Sequence, residues 1–408
     1  MSFSDRRTFL RQSFASAGLL AFGTSLMRCN DDDTAASSAT SGGGGAGGAP
    51  PANLVSNIAN LGPLGEADAN GVRLPPGFTS RILAQTGMPV APSAYVWHGA
   101  PDGGAVFTTP DGWIYVSNSE MGIMAGGAGA LRFSMDGEIV DAYRVLEGTT
   151  RNCAGGPTPW GTWLSCEEAD GGQVWECDPT GAMPAVARPA MGQFHHEACA
   201  IDPNAKQAYL TEDESDGRLY RFTPTSYPDL GSGTLEVLHV MAGEEGATEW
   251  LPLPDPSGST TATRLQVPES TAFDGGEGIW FHEGIIYFST KGDNRIWAYD
   301  TADGMLSILY DVITSPMPIL SGVDNVTVSP GGDVLVAEDG GDLQIVAITP
   351  DGKVVPLMQL VGHDMSEITG PAFDPTLGRL YFSSQRGTAG TSGSGVTFEI
   401  SGPFFVEE

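Results

Sequence analysis

The four residues WLSC (Trp163 to Cys166), near the end of RNCAGGPTPWGTWLSCEE (Arg151 to Glu168), are one copy of the unit that decides the fold. An aromatic or aliphatic residue, an apolar residue and then Ser, Thr or Ala recur as YVSN at Tyr115, YLTE at Tyr209, YFST at Tyr287, LVAE at Leu335 and YFSS at Tyr381. Successive copies start 48, 46, 78, 48 and 46 residues apart. Nearly every copy follows a turn signal, such as PDG before Trp113, SPGGD before Val334 and DPTLG before Arg379. Most are followed by a second turn and strand, as in GRLYRF (Gly217 to Phe222) and NRIWAYD (Asn294 to Asp300). About four short strands repeated at this period are the pattern of a propeller blade, so the expectation is an all-β fold, a six-bladed β-propeller. The one long interval contains a Pro-, Gly-, Ser- and Thr-rich insertion, 224–265, expected to be a loop excursion over one face.

Composition agrees. With 56 Gly, 29 Pro and only 17% charged residues, the chain has the makings of many tight turns and no long amphipathic helix. A net charge of −31 argues against nucleic acid or an anionic membrane as partner, and it makes any anionic substrate dependent on bound cations.

The N-terminus carries Arg6-Arg7, Phe9-Leu10 and an apolar run from Phe14 to Met27, the pattern of a twin-arginine export signal over 1–29. Cys29 ends that run where the lipidated cysteine of a lipoprotein stands, although Arg28 replaces the usual small residue. Residues 30–53 are rich in Asp, Ser, Thr, Ala and Gly, a flexible linker that cannot bury a core. The propeller is therefore assigned to 54–408, in an exported protein that is periplasmic or lipid-anchored to the cell envelope. Of the five cysteines, Cys153 lies in a glycine-rich turn and is a candidate ligand. For an exported chain the default for the four beyond Cys29 is two disulfides, with three pairings open.

The first strand of each blade lines the central channel, and stepping back from each YxS-like strand lands on it. The residues there are Asp102, Cys153, Glu197, Glu277, Asp324-Asn325 and Glu367. A second tier ends the next strands: Glu120, Glu167-Glu168, Glu212-Asp213-Glu214 and Glu338-Asp339. So many carboxylates at one channel mouth raise each other's pKa, and bound cations relieve them. Oxygen donors favour calcium, and a nearby thiolate favours iron. The histidines show no zinc spacing; His196, beside Glu197, is the one placed to act as ligand or proton donor. No GxSxG elbow, P-loop or dinucleotide fingerprint is present.

At PDGGAVF, GWIYVSNSE, RNCAGGPTPWGTWLSCEE, HEACAIDP, YLTED, GGEGIWF, DNVTVSPGGDVLVAEDG and EITGPAFDP the sequence resembles the PhoX-type bacterial alkaline phosphatases, over about Trp97 to Ser384. That resemblance implies a cluster of Fe3+ and Ca2+ at the channel mouth and hydrolysis of small-molecule phosphate monoesters. It implies Cys153 as the iron-binding thiolate, Glu168 and Glu277 as cluster carboxylates and Asp324 as a further ligand. Glu212 or Asp213 would join them, with Glu197 at the inner strand of its blade. Cys153, Glu168 and Glu277 would then be the catalytic set of a monomeric enzyme. Where the family carries Arg-Pro-Glu this chain has Gly275-Gly276-Glu277, which removes a bidentate grip on phosphate; Arg151, Arg295 and Arg386 are the replacements to look for. The alternatives are a calcium-dependent lactonase, to which Asn325 would matter and Cys153 would not, and a non-catalytic, metal-stabilised surface propeller that binds a partner.

Overall fold

A computed structural model describes residues 54–408, so the expected export signal, Cys29 and the expected linker lie outside the described residues. Strands dominate. Helix among the described residues is confined to three single 3-10 turns at Ile58–Asn60, Pro189–Met191 and Thr263–Leu265. The strands form antiparallel meanders in a propeller-like arrangement, and each YxS-like copy is the second strand of a meander.

The first strands are Pro101–Thr109, Asn152–Pro157, His196–Asp202, Gly276–His282, Val323–Val328 and Ile368–Phe373. Each packs against the first strand of the next meander, and Ile368–Phe373 packs back on Pro101–Thr109, so they enclose a central channel. Glycine permits this approach: a Cβ on Gly278 would overlap the backbone of Asn325 and Val326, and one on Gly103 would overlap Ala154. The channel wall is accordingly small, with Gly103, Ala154, Ala198, Gly278, Asn325 and Gly370 facing a narrow space.

Second strands such as Gly112–Ser119 and Ile285–Thr290 are buried at every residue because both faces are covered by neighbouring meanders. The period-two alternation of a strand then feeds two cores. Ile286 and Phe288 join one apolar cluster, whereas Ile285 and Tyr287 join the next. Trp113 and Tyr115 are divided in the same way from Ile114 and Val116.

The hydrogen-bonded sheets do not divide as the repeats suggest. Four of them are blade-like, with four or five strands, and one has nine. The cause is the insertion. Residues 224–265 form strand rather than loop over much of their length, in Leu219–Ser226, Asp229–Val240 and Gly246–Pro252. Gly246–Pro252 pairs with Asp229–Val240 on one side and, through Gly246↔Leu306 and Ala247↔Met305, with the outer strand of the following meander. The signal was there in TLEVLHV, where Leu235 and Val237 enter one core and Leu238 and Val240 another. It was obscured by the surrounding Gly and Pro.

The ring is closed by the N-terminal part of the described chain. Thr79–Gln85 is the outer strand of the last sheet, paired with Val396–Ser401. Leu54–Ser56 pairs with Phe405–Glu407, and Ser56 Oγ donates a 2.6 Å hydrogen bond to Asp333 Oδ2. The expected disulfides are absent among the described residues: Cys153, Cys166, Cys177 and Cys199 are all free thiols, the last three buried in the apolar clusters. They behave as small apolar side chains filling space between meanders.

Candidate metal centre

Five of the six first strands break register with their partner at the residue the repeats single out. The shifts fall at Pro101/Gly104, Asn152/Gly155, His196/Cys199, Gly276/Ile279 and Val323/Val326. They enclose Asp102, Cys153, Glu197, Glu277 and Asp324. A bulge leaves its extra residue unpaired and re-aims its side chain, and here the bulges stand at one end of the channel. Glu367 directly precedes the sixth first strand, which carries its own shift at Thr369/Ala372.

These side chains meet. Donor atoms lie within 4.8 Å of one another in four groups: Cys153, Glu168 and Glu197; Glu197, Glu277 and Asp324; Asp324, Asp339 and Glu367; and Asp102, Glu120 and Glu367. Glu197, Asp324 and Glu367 each belong to two groups, so the set is one continuous cluster across the mouth. Of the candidates drawn from the sequence, Cys153, Glu168, Glu197, Glu277 and Asp324 are brought together.

Glu212 is not. Its Oε2 accepts from the Tyr220 hydroxyl at 2.7 Å and the Arg218 amide at 3.2 Å, and Arg264 Nη1 lies 3.5 Å from Oε1. Glu167 and Glu338 are held likewise: Glu167 accepts from the Thr150 and Gln173 amides, and Glu338 from the Ser321 and Gln344 amides. In each acidic run one carboxylate therefore braces the loop, and a following one, Glu168, Asp213 or Asp339, stands nearer the mouth. Asp213 joins none of the four groups, although the charges of Lys291 and Asp324 both act on it.

The electrostatics fit a cation site. Burial raises the Glu197 pKa well above the carboxylate range, and Glu277 and Asp324 push it further. Glu197 is 1% exposed, and its Oε1 has no hydrogen-bond partner. An unpartnered carboxylate oxygen in such a place is costly unless a cation satisfies it. Burial likewise raises Glu168 to about 8, with Glu120 and Asp213 adding to it. Cys153 is also shifted well upward, by burial first and then by Asp102 and Glu197. As a metal ligand it would have to give up its proton on binding. A thiol with several carboxylates suits iron at the sulfur side and calcium at the oxygen side.

Three residues complete the mouth. Lys291 Nζ lies 2.9 Å from Glu277 Oε1, 2.9 Å from Asp324 Oδ2 and 3.2 Å from Asp339 Oδ2. Arg386 Nη2 lies 3.2 Å from Glu367 Oε1. Gln385 Nε2 donates to Asp102 and Glu120 at 2.5 and 2.8 Å. Sequence reasoning missed Lys291, and its only signal was a break in pattern: YFSTK where four of the other five copies read on into Glu or Asp. Arg295 is occupied elsewhere, with Asp311 and Asp293. His196 is a packing residue, stacked on Phe194 with Nε2 on the Gly192 carbonyl, and burial lowers its pKa to about 4. Asn325 donates to Asp324 and accepts from the Gly370 amide, so its side chain is committed to the channel wall.

Fold and site together define an all-β, propeller-like protein whose channel mouth gathers one thiol and a ring of carboxylates. The family model for alkaline phosphatase PhoX matches residues 114–174 and 169–307, and the resemblance to the PhoX family is thereby shown. Among solved structures, PhoX of Pseudomonas fluorescens in complex with vanadate, a transition state analogue, aligns with a TM-score of 0.68 and 16% identity, over 84% of this chain and 97% of that one. A protein of unknown function from Bacteroides thetaiotaomicron aligns at 0.50 and 9%, over 83% and 84%. XC5397 of Xanthomonas campestris, a gluconolactonase, aligns at 0.46 and 16%, over 84% and 98%. At these identities the likeness is one of fold. No curated protein sequence matches the chain.

Proposed function

We propose that this chain is an exported, monomeric, metal-dependent phosphoesterase that hydrolyses small-molecule phosphate monoesters with a Ca2+/Fe3+ cluster at the channel mouth. The observation that carries the reading is the group of Cys153, Glu168 and Glu197, with donor atoms within 4.8 Å of one another and one buried carboxylate oxygen left without a partner. The PhoX match over this stretch supports the same reading. We also read the fold as six blades, counting the two meanders of the nine-stranded sheet separately. The closed ring of first strands and the separate apolar clusters between neighbouring meanders support that count.

Cys153, Glu168 and Glu197 would hold the cluster, with Glu277 and Asp324 on its flank. The metals would supply Lewis acidity and an activated oxygen, and would neutralise the phosphate. The chain's own contribution is to exclude bulk water, to fix the ligands on bulged strands and to present Lys291 and Arg386 beside the acids. Those two cations stand at the mouth of a chain that has Gly275-Gly276 where an arginine grip was expected. The lactonase alternative loses Asn325 as a free ligand.

The test is elemental analysis of the purified protein beside turnover of a chromogenic phosphate monoester, with and without chelator. Iron and calcium with chelator-sensitive turnover support the proposal. Calcium alone, with no turnover, overturns it in favour of the lactonase or of a metal-stabilised binding propeller.

A further inference from the structure

The charges at the mouth are unevenly compensated. Glu277, Asp324 and Asp339 surround the Lys291 ammonium, and Glu367 and Asp339 face the Arg386 guanidinium, whose Nη1 lies 3.8 Å from Asp339 Oδ1. On the other side stand Cys153, Glu168 and Glu197. Among the described residues no Lys or Arg nitrogen is within ion-pair distance of Glu168 or Glu197.

We propose that Lys291 takes the place of a metal ion, its ammonium filling the point between Glu277, Asp324 and Asp339, so that no metal is held at that point of the mouth. The inference rests on the metal-cluster reading of the mouth and refines its stoichiometry. The geometry is that of an ammonium site. An ammonium has three N–H donors, and three carboxylate oxygens from three different segments lie around Nζ at 2.9, 2.9 and 3.2 Å. Those are ion-pair lengths. A calcium ion would draw the same oxygens to about 2.3–2.6 Å.

The ammonium also stays with its partners. Lys291 leaves the end of Ile285–Thr290, and the next residues turn sharply, at Gly292, where a Cβ would overlap the Asp274 side chain. With its side chain only 33% exposed, its stem is packed and its head lies among the acids. A monovalent cation on a covalent stem cannot be chelated away. This part of the mouth therefore keeps its cation when the metals leave.

The experiment compares the full-length protein with Lys291→Met and Lys291→Arg by elemental analysis and calcium titration calorimetry. Lys291→Met should bind about one more divalent ion per chain than the parent, and Lys291→Arg the parent's number. An unchanged or lower count in Lys291→Met overturns the proposal. Should Lys291→Met not fold, Asp339→Asn decides: an unchanged metal count supports a carboxylate that serves lysine, and loss of an ion overturns it. A parent that binds metal but turns over no phosphate ester sinks the phosphoesterase reading and leaves this inference standing. A parent and Lys291→Met that both bind no metal overturn the two together.

Discussion

Asn118 and Cys153 are joined across two meanders: the Asn118 amide donates to the Cys153 carbonyl at 3.1 Å and to the Ala154 carbonyl at 2.7 Å. Its Oδ1 accepts from Trp163 Nε1 at 2.9 Å and from Ser165 Oγ at 2.8 Å. A side-chain amide has two N–H donors and one oxygen with two lone pairs, so Asn118 is fully used in fixing the bulge that presents the thiol.

Asn118→Ala should therefore act on stability and on the site together. It strands two buried carbonyls, an indole N–H and a hydroxyl, at a cost of about 2–4 kcal/mol. Denaturant unfolding of the metal-free protein checks the first effect. Elemental analysis should show a lower metal content in the variant that does fold. A stable variant with parental metal content would mean that the bulge holds itself.

Cys153→Ser should separate the metals. The oxygen donors remain and the one thiol of the mouth is gone, so iron should fall sharply while calcium is largely kept. Turnover should fall with the iron. Iron retained at the parental level would remove Cys153 from the site.

Glu197→Gln should be silent without metal and damaging with it. Burial, with the charges of Glu277 and Asp324, favours the protonated form of Glu197 when no cation is bound, and glutamine has the shape of the protonated acid. Metal-free stability should change by less than about 1 kcal/mol. Saturating metal should stabilise the parent, by about 2.7 kcal/mol at a hundred times Kd, and the variant much less. Thermal melts of both proteins with and without metal give all four values.

The metal-free protein should lose stability as pH rises. Burial holds Glu168 at about 8 and Glu212 and Glu338 at about 7, each above the ordinary value of 4.5. Between about pH 4.5 and 8 the folded state thus binds more protons than the unfolded one, and the unfolding free energy declines across that window. Lys291, its pKa raised by Asp324, Glu277 and Asp339 against the effect of burial, is charged in both states there and adds no slope. Melting temperatures at pH 5 and pH 8.5 are the measurement, and the lower value belongs to pH 8.5. Added metal should flatten the trend at Glu168, where it replaces the proton.

The repeats were readable because a buried second strand has little freedom: aromatic, apolar, then a small hydroxyl or Ala, at one period. The carboxylates of the first strands were readable for the same reason, since register carried Asp102, Glu197, Glu277 and Asp324 to one end. The partition within the second tier was not readable. Glu212 and Asp213 are adjacent in sequence, and only the loop amides that Glu212 and its counterparts accept decide which acid braces and which faces the mouth. Lys291 escaped because a lone lysine after a strand looks like a solvated end; its three acidic partners come from segments 14, 33 and 48 residues away. The thiols misled through compartment: the expectation of export argued for disulfides, whereas Cys166, Cys177 and Cys199 are spent on packing.

The pairing of Leu54–Ser56 with Phe405–Glu407 has a practical side. Ser56 is bonded to Asp333, which lies in the turn between Val323–Val328 and Val334–Glu338, at the end of those strands remote from Asp324 and Asp339. Both ends of the described chain thus leave from the back of the ring. A support grafted there, whether a resin, a fusion partner or an electrode, would leave the acidic face turned toward the solution and open to diffusing solute.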